Sequence, residues 1–206
     1  EYGGVTPRAW WFKGARPSAT SGWWQGRSGY WYYFAGKPSA EASTWVSDNG
    51  QWYWMGATGA MASSEWISDG NGLYYIDSAG HPSSASGWTQ NDGAWYYLRD
   101  GRAHTGWLND RGTWYLLDPA SGQMVTGWGQ ADGSWYHMDS SGRMTTGWIN
   151  DGGAWYYLRG SGQMATGWLA SGGSWYYLGA SGAMRTGWFQ DAGSWDYADP
   201  SGAMVT

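Results

Sequence analysis

A tryptophan-centred motif recurs about every twenty residues along this chain of 206 residues. Each copy opens with a Trp, usually after Gly, and reaches an aromatic-rich triplet seven or eight residues later. A fixed period of this length indicates a repeat array in which each unit buries its apolar side only against its neighbours. A site formed between two units is then formed several times, which favours a multivalent binding protein over an enzyme with one active site. The opening tryptophans are Trp23, Trp45, Trp66, Trp88, Trp107, Trp128, Trp148, Trp168 and Trp188.

Each copy contains two short aromatic segments separated by a turn signal. In one copy, residues 127–130 and 134–138 flank Asp132-Gly133, a pair typical of a two-residue hairpin turn that needs positive φ. Asp92-Gly93 and Gly152-Gly153 take the same place in two further copies. No apolar period of about 3.6 residues is sustained, which argues against helix. The sequence therefore predicts an all-β fold, a solenoid of stacked β-hairpin repeats of about 20 residues.

The repeat pattern also predicts the domain organisation. Residues 23–206 form an array of about nine repeats. Residues 1–22 are interpreted as a partial or degenerate N-terminal repeat, because Trp10-Trp11-Phe12 resembles a second aromatic segment whose first segment is missing or altered. Met204-Val205-Thr206 stops where the next Gly-Trp would follow. We therefore expect a piece of a longer protein, or one end of it.

The composition limits the kind of core that these repeats can build. The chain has 36 Gly, 21 Trp and 16 Tyr but few Leu, Ile or Val, so an ordinary aliphatic core is not expected. Trp and Tyr bury a large area and carry a polar group at one end. The composition therefore predicts a thin aromatic core whose edges stay wet.

Charge and hydropathy exclude several classes of partner. The net charge is -5 and 13% of the residues are charged, which argues against nucleic acid and against a polybasic contact with anionic lipid. No segment approaches the roughly 18–20 apolar residues of a membrane span.

Metal, cofactor and catalytic chemistry are not predicted. The chain has no Cys, and His81, His104 and His137 lie in different units without the spacing of metal ligands. Repeated Asp residues such as Asp92 and Asp151 are explained by a role in turns. No Ser/His/Asp set or isolated carboxylate pair stands out from the repeat, so we expect no cofactor and no catalysis in these residues.

The cleanest copy of the motif resembles a known repeat family. Residues 146–168 contain Thr-Gly-Trp, Trp-Tyr-Tyr-Leu and Gly-Gln-Met-Ala-Thr-Gly-Trp, as does the choline-binding, or cell-wall-binding, repeat of Gram-positive surface proteins and phage lysins. The resemblance covers roughly residues 23–206 and is strongest from Trp88 onward. It implies a β-solenoid of stacked hairpins that holds choline between successive hairpins, at the bacterial cell surface or cell wall. It also implies that a catalytic or adhesive domain often lies elsewhere on the same polypeptide.

The faces of the strands predict which rings form each site. Successive strand residues point to opposite faces, so the two tryptophans of one unit share a face and the first Tyr of the next unit points back at them. We expect each triplet to form an aromatic cage, because aromatic faces attract a quaternary ammonium, which cannot donate hydrogen bonds. The predicted choline-binding triplets are Trp45/Trp52/Tyr74, Trp88/Trp95/Tyr115, Trp107/Trp114/Tyr136, Trp128/Trp135/Tyr156 and Trp148/Trp155/Tyr176.

Other positions extend this prediction. Trp24/Trp31/Tyr53 is a further candidate triplet near the N-terminus. Met144 and Met164 are expected to line the floor of cages, since thioethers pack well on aromatic rings.

Two triplets are predicted to be defective. Leu73 replaces the second tryptophan in the unit that opens with Trp66. Asp196 stands where Trp168 and Trp175 would require a tyrosine, so a charge takes the place of a ring.

Three functions remain open from the sequence. The first is a non-catalytic module that binds choline or phosphocholine on a cell-wall polymer such as a teichoic acid. The second is a carbohydrate-binding module, in which the tryptophans stack on a glucan or surface glycan. Sugar sites usually add polar groups at fixed repeat positions, whereas here Gln130, Asn150, Ala170 and Gln190 vary, which favours choline. The third is a structural stalk or self-associating adhesin that needs no ligand.

Overall fold

The computed structural model describes residues 22–205, and these contain no helix. Within this range the chain forms nineteen strands, eighteen of which pair as nine antiparallel hairpins. The predicted all-β class and the hairpin repeat are therefore confirmed. Residues 1–21 of the predicted partial repeat lie outside the described residues, as does Thr206.

The hairpins follow one another along the chain in two compact units, and the boundary in the sequence falls between His104 and Thr105. Hairpins 1 to 4 belong to the first unit and are formed by β1 (Gly22–Gln25) and β2 (Trp31–Phe34), β3 (Thr44–Asp48) and β4 (Gln51–Met55), β5 (Glu65–Ser68) and β6 (Leu73–Ile76), and β7 (Gly87–Asn91) and β8 (Ala94–Arg99). The short β9 (Arg102–Ala103) joins β6 to β8, so that hairpins 3 and 4 share a five-stranded sheet of order β5-β6-β9-β8-β7.

The second unit contains hairpins 5 to 9, each a separate two-stranded sheet. They are formed by β10 (Gly106–Asp110) and β11 (Thr113–Leu117), β12 (Gly127–Ala131) and β13 (Ser134–Met138), β14 (Gly147–Asp151) and β15 (Ala154–Leu158), β16 (Gly167–Ser171) and β17 (Ser174–Leu178), and β18 (Gly187–Asp191) and β19 (Ser194–Ala198).

Two-residue turns with positive φ at both central positions close seven of the nine described hairpins, all except hairpins 1 and 3. Asp132 and Gly133 have φ of 49° and 74°, and Gly172 and Gly173 have φ of 58° and 83°. This is the geometry of a type I′ turn, whose twist matches that of the flanking strands. Arg111 adopts the same conformation at φ 52°, so a residue other than Gly, Asn or Asp is also accepted at the first position.

The innermost core consists mainly of aliphatic and methionine side chains, so the prediction of an aromatic core is wrong for most hairpins, although Tyr32, Tyr96 and Tyr136 are also buried. The second-strand residue that pairs with the first residue of the hairpin is buried in all nine described hairpins, as with Leu158 and Leu178 at 0% exposure. Tryptophan is seldom buried completely because of its size. Its rings lie instead around the rim, where Trp114 and Trp155 are 44% and 45% exposed. The most deeply buried large side chains are Met55, Ile76, Leu98, Leu108, Leu117, Met138, Leu158 and Leu178.

A recurring backbone hydrogen bond joins hairpins 5 to 8 of the second unit to the loop that follows the next hairpin. The amide of Met184, in the loop after hairpin 8, donates to the carbonyl of Trp155 in hairpin 7 at 2.8 Å. The amide of the next residue, Arg185, donates to Tyr177 of its own hairpin at 2.8 Å. The loop is therefore hydrogen-bonded to two successive hairpins. The equivalent bonds run from Met144 to Trp114, from Met164 to Trp135 and from Met204 to Trp175.

In the second unit, the glycines Gly142, Gly162, Gly182 and Gly202 each leave room for the methionine of the preceding loop. A Cβ built on Gly162 would lie 2.2 Å from the sulfur of Met144, and Gly182 stands in the same relation to Met164. Gly162 also has φ of 84°, a conformation that disfavours other residues. Loop packing and loop conformation thus both require glycine here.

We expect Gly162→Ala to lower the stability of the second unit by about 1–3 kcal/mol more than Gly173→Ala does. Gly173 is the matched control, because its φ is 83° but nothing lies within 4 Å of its Cβ position. Both variants cost backbone strain, and only Gly162→Ala adds the clash with methionine. Urea unfolding followed by tryptophan fluorescence measures the difference, and equal midpoints for the two variants would contradict the packing role of Gly162.

Candidate functional site

In the regular hairpins, the tryptophan of the Gly-Trp pair and the tryptophan that opens the aromatic triplet lie on the same face. In hairpin 5, Asn109 pairs with Trp114, so Trp107 and Trp114 share a face. Leu108 pairs with Tyr115 on the opposite face. The triplet's first Tyr therefore points away from its own tryptophans.

The face that carries the tryptophans packs against the next hairpin's tyrosine. We number each cage by the hairpin that supplies its tryptophans. Cage 5 consists of Trp107, Trp114 and Tyr136, and these three side chains line one cavity of about 240 Å³. The structure thus brings together three rings that strand parity places in one triplet.

Cage 7 repeats this arrangement two hairpins later. Trp148, Trp155 and Tyr176 line a cavity of about 280 Å³. The rings of Trp148 and Tyr176 meet edge to face, with centroids 4.8 Å apart, and those of Trp107 and Tyr136 in cage 5 are 4.6 Å apart. Such pairs favour a fixed mutual angle, so the walls of the cavity are held by ring contacts as well as by the strands.

The exposed wall of each cage is the triplet's tryptophan, and the inner wall is the tyrosine. In cage 5, Trp114 is 44% exposed and Tyr136 only 6% exposed. Trp107 stands between them at right angles to Trp114, with centroids 6.2 Å apart. The cavity is therefore open to solvent beside Trp114 and bounded by the Tyr136 ring on its buried side.

Two further side chains line each of these cavities, and one type was not predicted. Met144 lines cage 5, as expected for a floor residue, and Met184 lines cage 7. Ser161 and Ser201 also line cages 5 and 7, although each comes from the loop two hairpins further on. The sequence shows this serine as a recurring residue of the Ser-Gly-x-Met motif. Its place in the cage depends on the stacking of three consecutive hairpins, which the motif does not reveal.

A side chain in the turn region of the following hairpin orients the Gly-Trp tryptophan. The indole Nε1 of Trp128 donates to Asp151 Oδ2 at 2.9 Å, and that of Trp148 donates to Ser171 Oγ at 3.2 Å. The interpretation of Asp151 as a turn residue alone was therefore incomplete, because its carboxylate accepts this bond. In the first unit, Trp45 donates in the same way to Asp69 at 3.0 Å.

The Asp69 carboxyl shows the electrostatic effect of this bond. Partial burial raises its pKa, but the hydrogen bonds from Trp45 and from the amides of Asn71 and Gly72 outweigh this, so the pKa lies below its usual value. The acceptor of the indole bond in cage 2 therefore stays ionised to a lower pH than an ordinary aspartate.

Cages 2 and 6 preserve the ring contact between tryptophan and tyrosine. Trp128 meets Tyr156 with centroids 4.9 Å apart in cage 6, whose third ring is Trp135. In cage 2, Trp45 meets Tyr74 at 5.5 Å, and the third ring, Trp52, lies on the same face of hairpin 2 as Trp45.

The predicted triplet Trp88/Trp95/Tyr115 is divided between the two compact units. Trp88 and Trp95 lie on one face of hairpin 4 in the first unit, where the Trp88 ring meets Tyr97 at 5.4 Å. Tyr115 belongs to hairpin 5 of the second unit. This triplet stays a prediction.

The N-terminal triplet requires a correction. Trp23, and not Trp24, meets Tyr53, with centroids 4.6 Å apart, and its indole donates to Asp48 at 3.1 Å. Trp24 pairs with Tyr32 on the other face and packs into the core beside it. Cage 1 is therefore formed with Trp23, which the Gly-Trp phase of Gly22-Trp23 could have indicated.

The two defective triplets depart from the regular geometry. The Trp66 ring meets the Tyr96 ring in a tilted arrangement with centroids 4.5 Å apart, but Leu73 offers no second ring. Trp66 Nε1 is buried without a hydrogen-bond partner among the described residues. In cage 8, Trp175 is 56% exposed, against 45% for Trp155. Both triplets lack a wall that the other cages have.

Phe189 partly fills the place of the tyrosine that cage 8 lacks. It stands opposite Asp196 in hairpin 9 and stacks on Tyr177 at 4.8 Å. The Tyr177 hydroxyl donates to Asp191 at 3.0 Å, and this bond, together with burial and the nearby negative charge, raises the pKa of Tyr177. Asp191 also accepts the Trp168 indole bond at 2.8 Å.

Residues 22–205 offer no group of three or more His, Cys, Asp or Glu side chains that could hold a metal ion. Within the same range no helix has the length and apolar character needed to cross a membrane.

The hairpin array and its aromatic cavities define a class of repeat module with several similar sites. Family models described as choline-binding repeats match residues 39–81, 85–127, 125–167 and 165–206. The matched segments cover more than half of the chain, and the chain therefore belongs to the choline-binding repeat family.

Solved structures of choline-binding proteins resemble the chain as well. Choline binding protein F of Streptococcus pneumoniae is 35% identical, with a TM-score of 0.58 over 85% of this chain and 61% of that one. The same protein in the presence of a peptidoglycan analogue gives 39% identity and a TM-score of 0.56, over 85% of this chain and 55% of that one. The choline-binding domain of CbpL from the same species is 33% identical, with a TM-score of 0.50 over 91% of this chain and 98% of that domain.

The chain spans only 61% of the first choline binding protein F structure. The comparison with curated protein sequences gave no significant match.

We expect Asp151→Ala to loosen the Trp128 indole, because the variant removes the acceptor of its 2.9 Å hydrogen bond. Asp151→Ser is the matched control, since Ser171 accepts the same bond in the next hairpin. Hydrogen exchange of the Trp128 Nε1 proton, followed by NMR, should accelerate in the alanine variant by about 2- to 10-fold, the equivalent of a bond worth 0.5–1.5 kcal/mol. The serine variant should stay near the wild type, and equal acceleration in both would show that the charge, not the bond, holds the ring.

Proposed function

We propose that this choline-binding repeat module attaches its parent protein to the bacterial cell wall by holding choline groups of a wall polymer, such as a teichoic acid, in the aromatic cages. The trimethylammonium head would enter from the solvent side, against the exposed tryptophan, and rest on the tyrosine. Cages 5, 6 and 7 are the best-formed candidates, because each combines two tryptophans with a tyrosine of the next hairpin.

The observation that carries this proposal is the chemistry of the cavity walls. Apart from the aromatic rings, cages 5 and 7 are lined by one methionine and one serine each. A quaternary ammonium needs aromatic faces and no hydrogen-bond acceptors. A sugar ring needs several polar partners, and a single hydroxyl in each cavity does not supply them.

The size of the cavities agrees with a small headgroup. Their volumes of about 240 and 280 Å³ lie below the roughly 300–1,000 Å³ of sites for larger ligands. The net charge of -5 also attracts a cationic headgroup. Both properties favour choline over a glycan chain.

Binding strength would come from the number of sites. Each ring contributes about 0.5–2 kcal/mol to a cation, so three rings give about 2–6 kcal/mol, a range that includes a millimolar site at about 4 kcal/mol. Several such sites facing a polymer that carries many choline groups gain a factor of about 10²–10⁴ in avidity. A weak cage is therefore sufficient for wall attachment and for release by free choline.

The module's place in the cell follows from the same proposal. Choline binding protein F has been solved in the presence of a tetrasaccharide-pentapeptide analogue of peptidoglycan, a setting that agrees with a surface location. Secretion to the cell surface or wall is part of the proposal for this chain, and any catalytic or adhesive activity would belong to other parts of the parent protein.

We expect Trp155→Ala to weaken choline binding at cage 7 by about 2- to 30-fold, because the variant removes one ring worth about 0.5–2 kcal/mol. Trp155→Phe keeps a ring and should retain part of the affinity. Tyr30→Ala is the control, since Tyr30 is 59% exposed and belongs to none of the cages. Titration with choline, followed by calorimetry, measures the change.

A second measurement separates choline from sugar as the ligand. The protein should bind a tertiary-amine resin and elute with free choline, and soluble glucans should not elute it. Retention on the resin in excess choline, or a calorimetric titration with no heat, would contradict the proposed function. Elution by a glucan alone would favour the carbohydrate-binding alternative.

A further inference from the structure

One loop position recurs beside the cage tyrosines of the first unit. It is the residue that follows the loop glycine two hairpins after the cage, and we call it the gate position. For cage 1 it is His81, whose ring lies 4.9 Å from that of Tyr53. For cage 2 it is Arg102, whose guanidinium carbon lies 5.9 Å from the centre of the Tyr74 ring. The gate residue therefore contacts the ring that forms the inner wall of the cage.

The gate residues of cages 5 to 7 are uncharged. Arg143, which follows Gly142 in the second unit and pairs with Tyr115, is the charged residue at this position there. Gln163 occupies the position for cage 5, and its side-chain amide donates to Ser134 at 3.4 Å. The equivalent loop residues for cages 6 and 7 are Ala183 and Ala203. The gate thus changes from cationic in cage 2 to neutral or small in cages 5 to 7.

Arg102 is fixed in place by three separate contacts. Its backbone pairs directly with Tyr74 in the ladder between β9 and β6, so both side chains lie on the same face of the sheet. Its Nη2 donates to the carbonyl of Asn71. Its guanidinium lies over the Tyr74 ring, which attracts a cation through its face.

Hairpin 3 has a glycine, Gly72, at the place where the Arg102 side chain crosses it. A Cβ on Gly72 would lie 2.2 Å from Arg102 Nε. The regular hairpins of the second unit carry Ser134, Ala154 or Ser174 at the equivalent place. The path of Arg102 to Tyr74 therefore depends on glycine at position 72.

The outer wall of cage 2 is more exposed to solvent than that of the regular cage 7. Trp52 is 53% exposed, against 45% for Trp155 in cage 7. Pro82 takes the ladder position that methionine holds in the second unit, and proline has no amide hydrogen to bond the preceding hairpin. The described residues contain no salt bridge that would pair Arg102 with a carboxylate and draw it away from the ring.

From this arrangement we infer that Arg102 supplies an internal cation to cage 2 and closes it to choline, while the neutral gates leave cages 5 to 7 open. This inference rests on the proposed function. A quaternary ammonium and a guanidinium compete for the same aromatic face, and two cations on one ring repel each other. The identity of the gate residue then decides which cages of the array take ligand.

The test uses 5-fluorotryptophan in the 206-residue chain, with the resonances of Trp52 and Trp155 assigned by Trp→Phe substitution and followed by ¹⁹F NMR during a choline titration. In the wild type, choline should shift the Trp155 resonance and leave that of Trp52 unchanged. In Arg102→Ala and in Arg102→Gln, which copies Gln163, the Trp52 resonance should shift as well, with an apparent affinity at least tenfold higher than in the wild type.

Two variants make the result specific. Gly72→Ser keeps the arginine but fills its path, and it should also allow Trp52 to respond. Arg159→Ala removes an equal charge from an exposed loop of the second unit and should leave Trp52 silent. Circular dichroism of each variant checks that the hairpins still form.

The possible outcomes separate this inference from the proposed function. If Trp155 does not respond in the wild type, the proposed function fails. If Trp155 responds and Trp52 responds equally in the wild type and in Arg102→Ala, the gate fails while choline binding stands. A parallel titration with phosphocholine tests whether Arg102 instead helps ligand binding by contacting a phosphate. Tighter phosphocholine binding at Trp52 in the wild type than in Arg102→Ala would show that it does, and would overturn the inference.

Discussion

The amide of the loop methionine, donating to the tryptophan carbonyl of the preceding hairpin, is the contact on which the cages of the second unit depend. In cage 5 the donor is Met144 and the acceptor is Trp114. These are also the residues that provide the floor and the outer wall of the cavity. One backbone bond, worth about 0.5–1.5 kcal/mol by itself, therefore fixes two sides of a site whose side chains are partly exposed. The ring contacts and the indole hydrogen bond then need only orient the remaining walls.

Much of the fold and the membership of the cages could be predicted, because both follow from short-range rules. The Asp132-Gly133 turn has the φ values that its sequence indicates, and strand parity places Trp148 and Trp155 together beside Tyr176. The failures come from long-range packing. Ser161 reaches cage 5 from two hairpins away, and the aliphatic core of residues such as Leu158 is invisible to a composition count that is dominated by Trp. Choosing Trp24 in place of Trp23 ignored the phase of the preceding glycine.

The hairpins share one backbone arrangement, while the side chains that form the cages differ from one repeat to the next. The acceptor of the indole bond can be a carboxylate, as in Asp151, or a hydroxyl, as in Ser171. Both satisfy the ring nitrogen, but only one adds a negative charge near the cavity. Replacement of a ring has a larger effect: Leu73 leaves Trp66 with one aromatic wall fewer, and Phe189 beside Tyr177 compensates only in part for Asp196. Small changes at repeated positions thus give neighbouring sites different strengths.

The contribution of a serine from two hairpins away has a consequence for how such arrays change in length. Loss of residues 147–166 by recombination between neighbouring repeats would remove the tryptophans of cage 7, while Tyr176 would replace Tyr156 and Ser181 would replace Ser161 in the cages before it. The substituted tyrosine and serine are chemically identical, so the walls of the surviving cages would be rebuilt, while the acceptor available to the Trp128 indole would change from Asp151 to Ser171 and the gate residue of cage 5 from Gln163 to Ala183. Copy number can therefore vary in the regular part of the chain at little cost. The same deletion among hairpins 1 to 4 would join unlike partners, which makes the irregular repeats the less interchangeable part of the array.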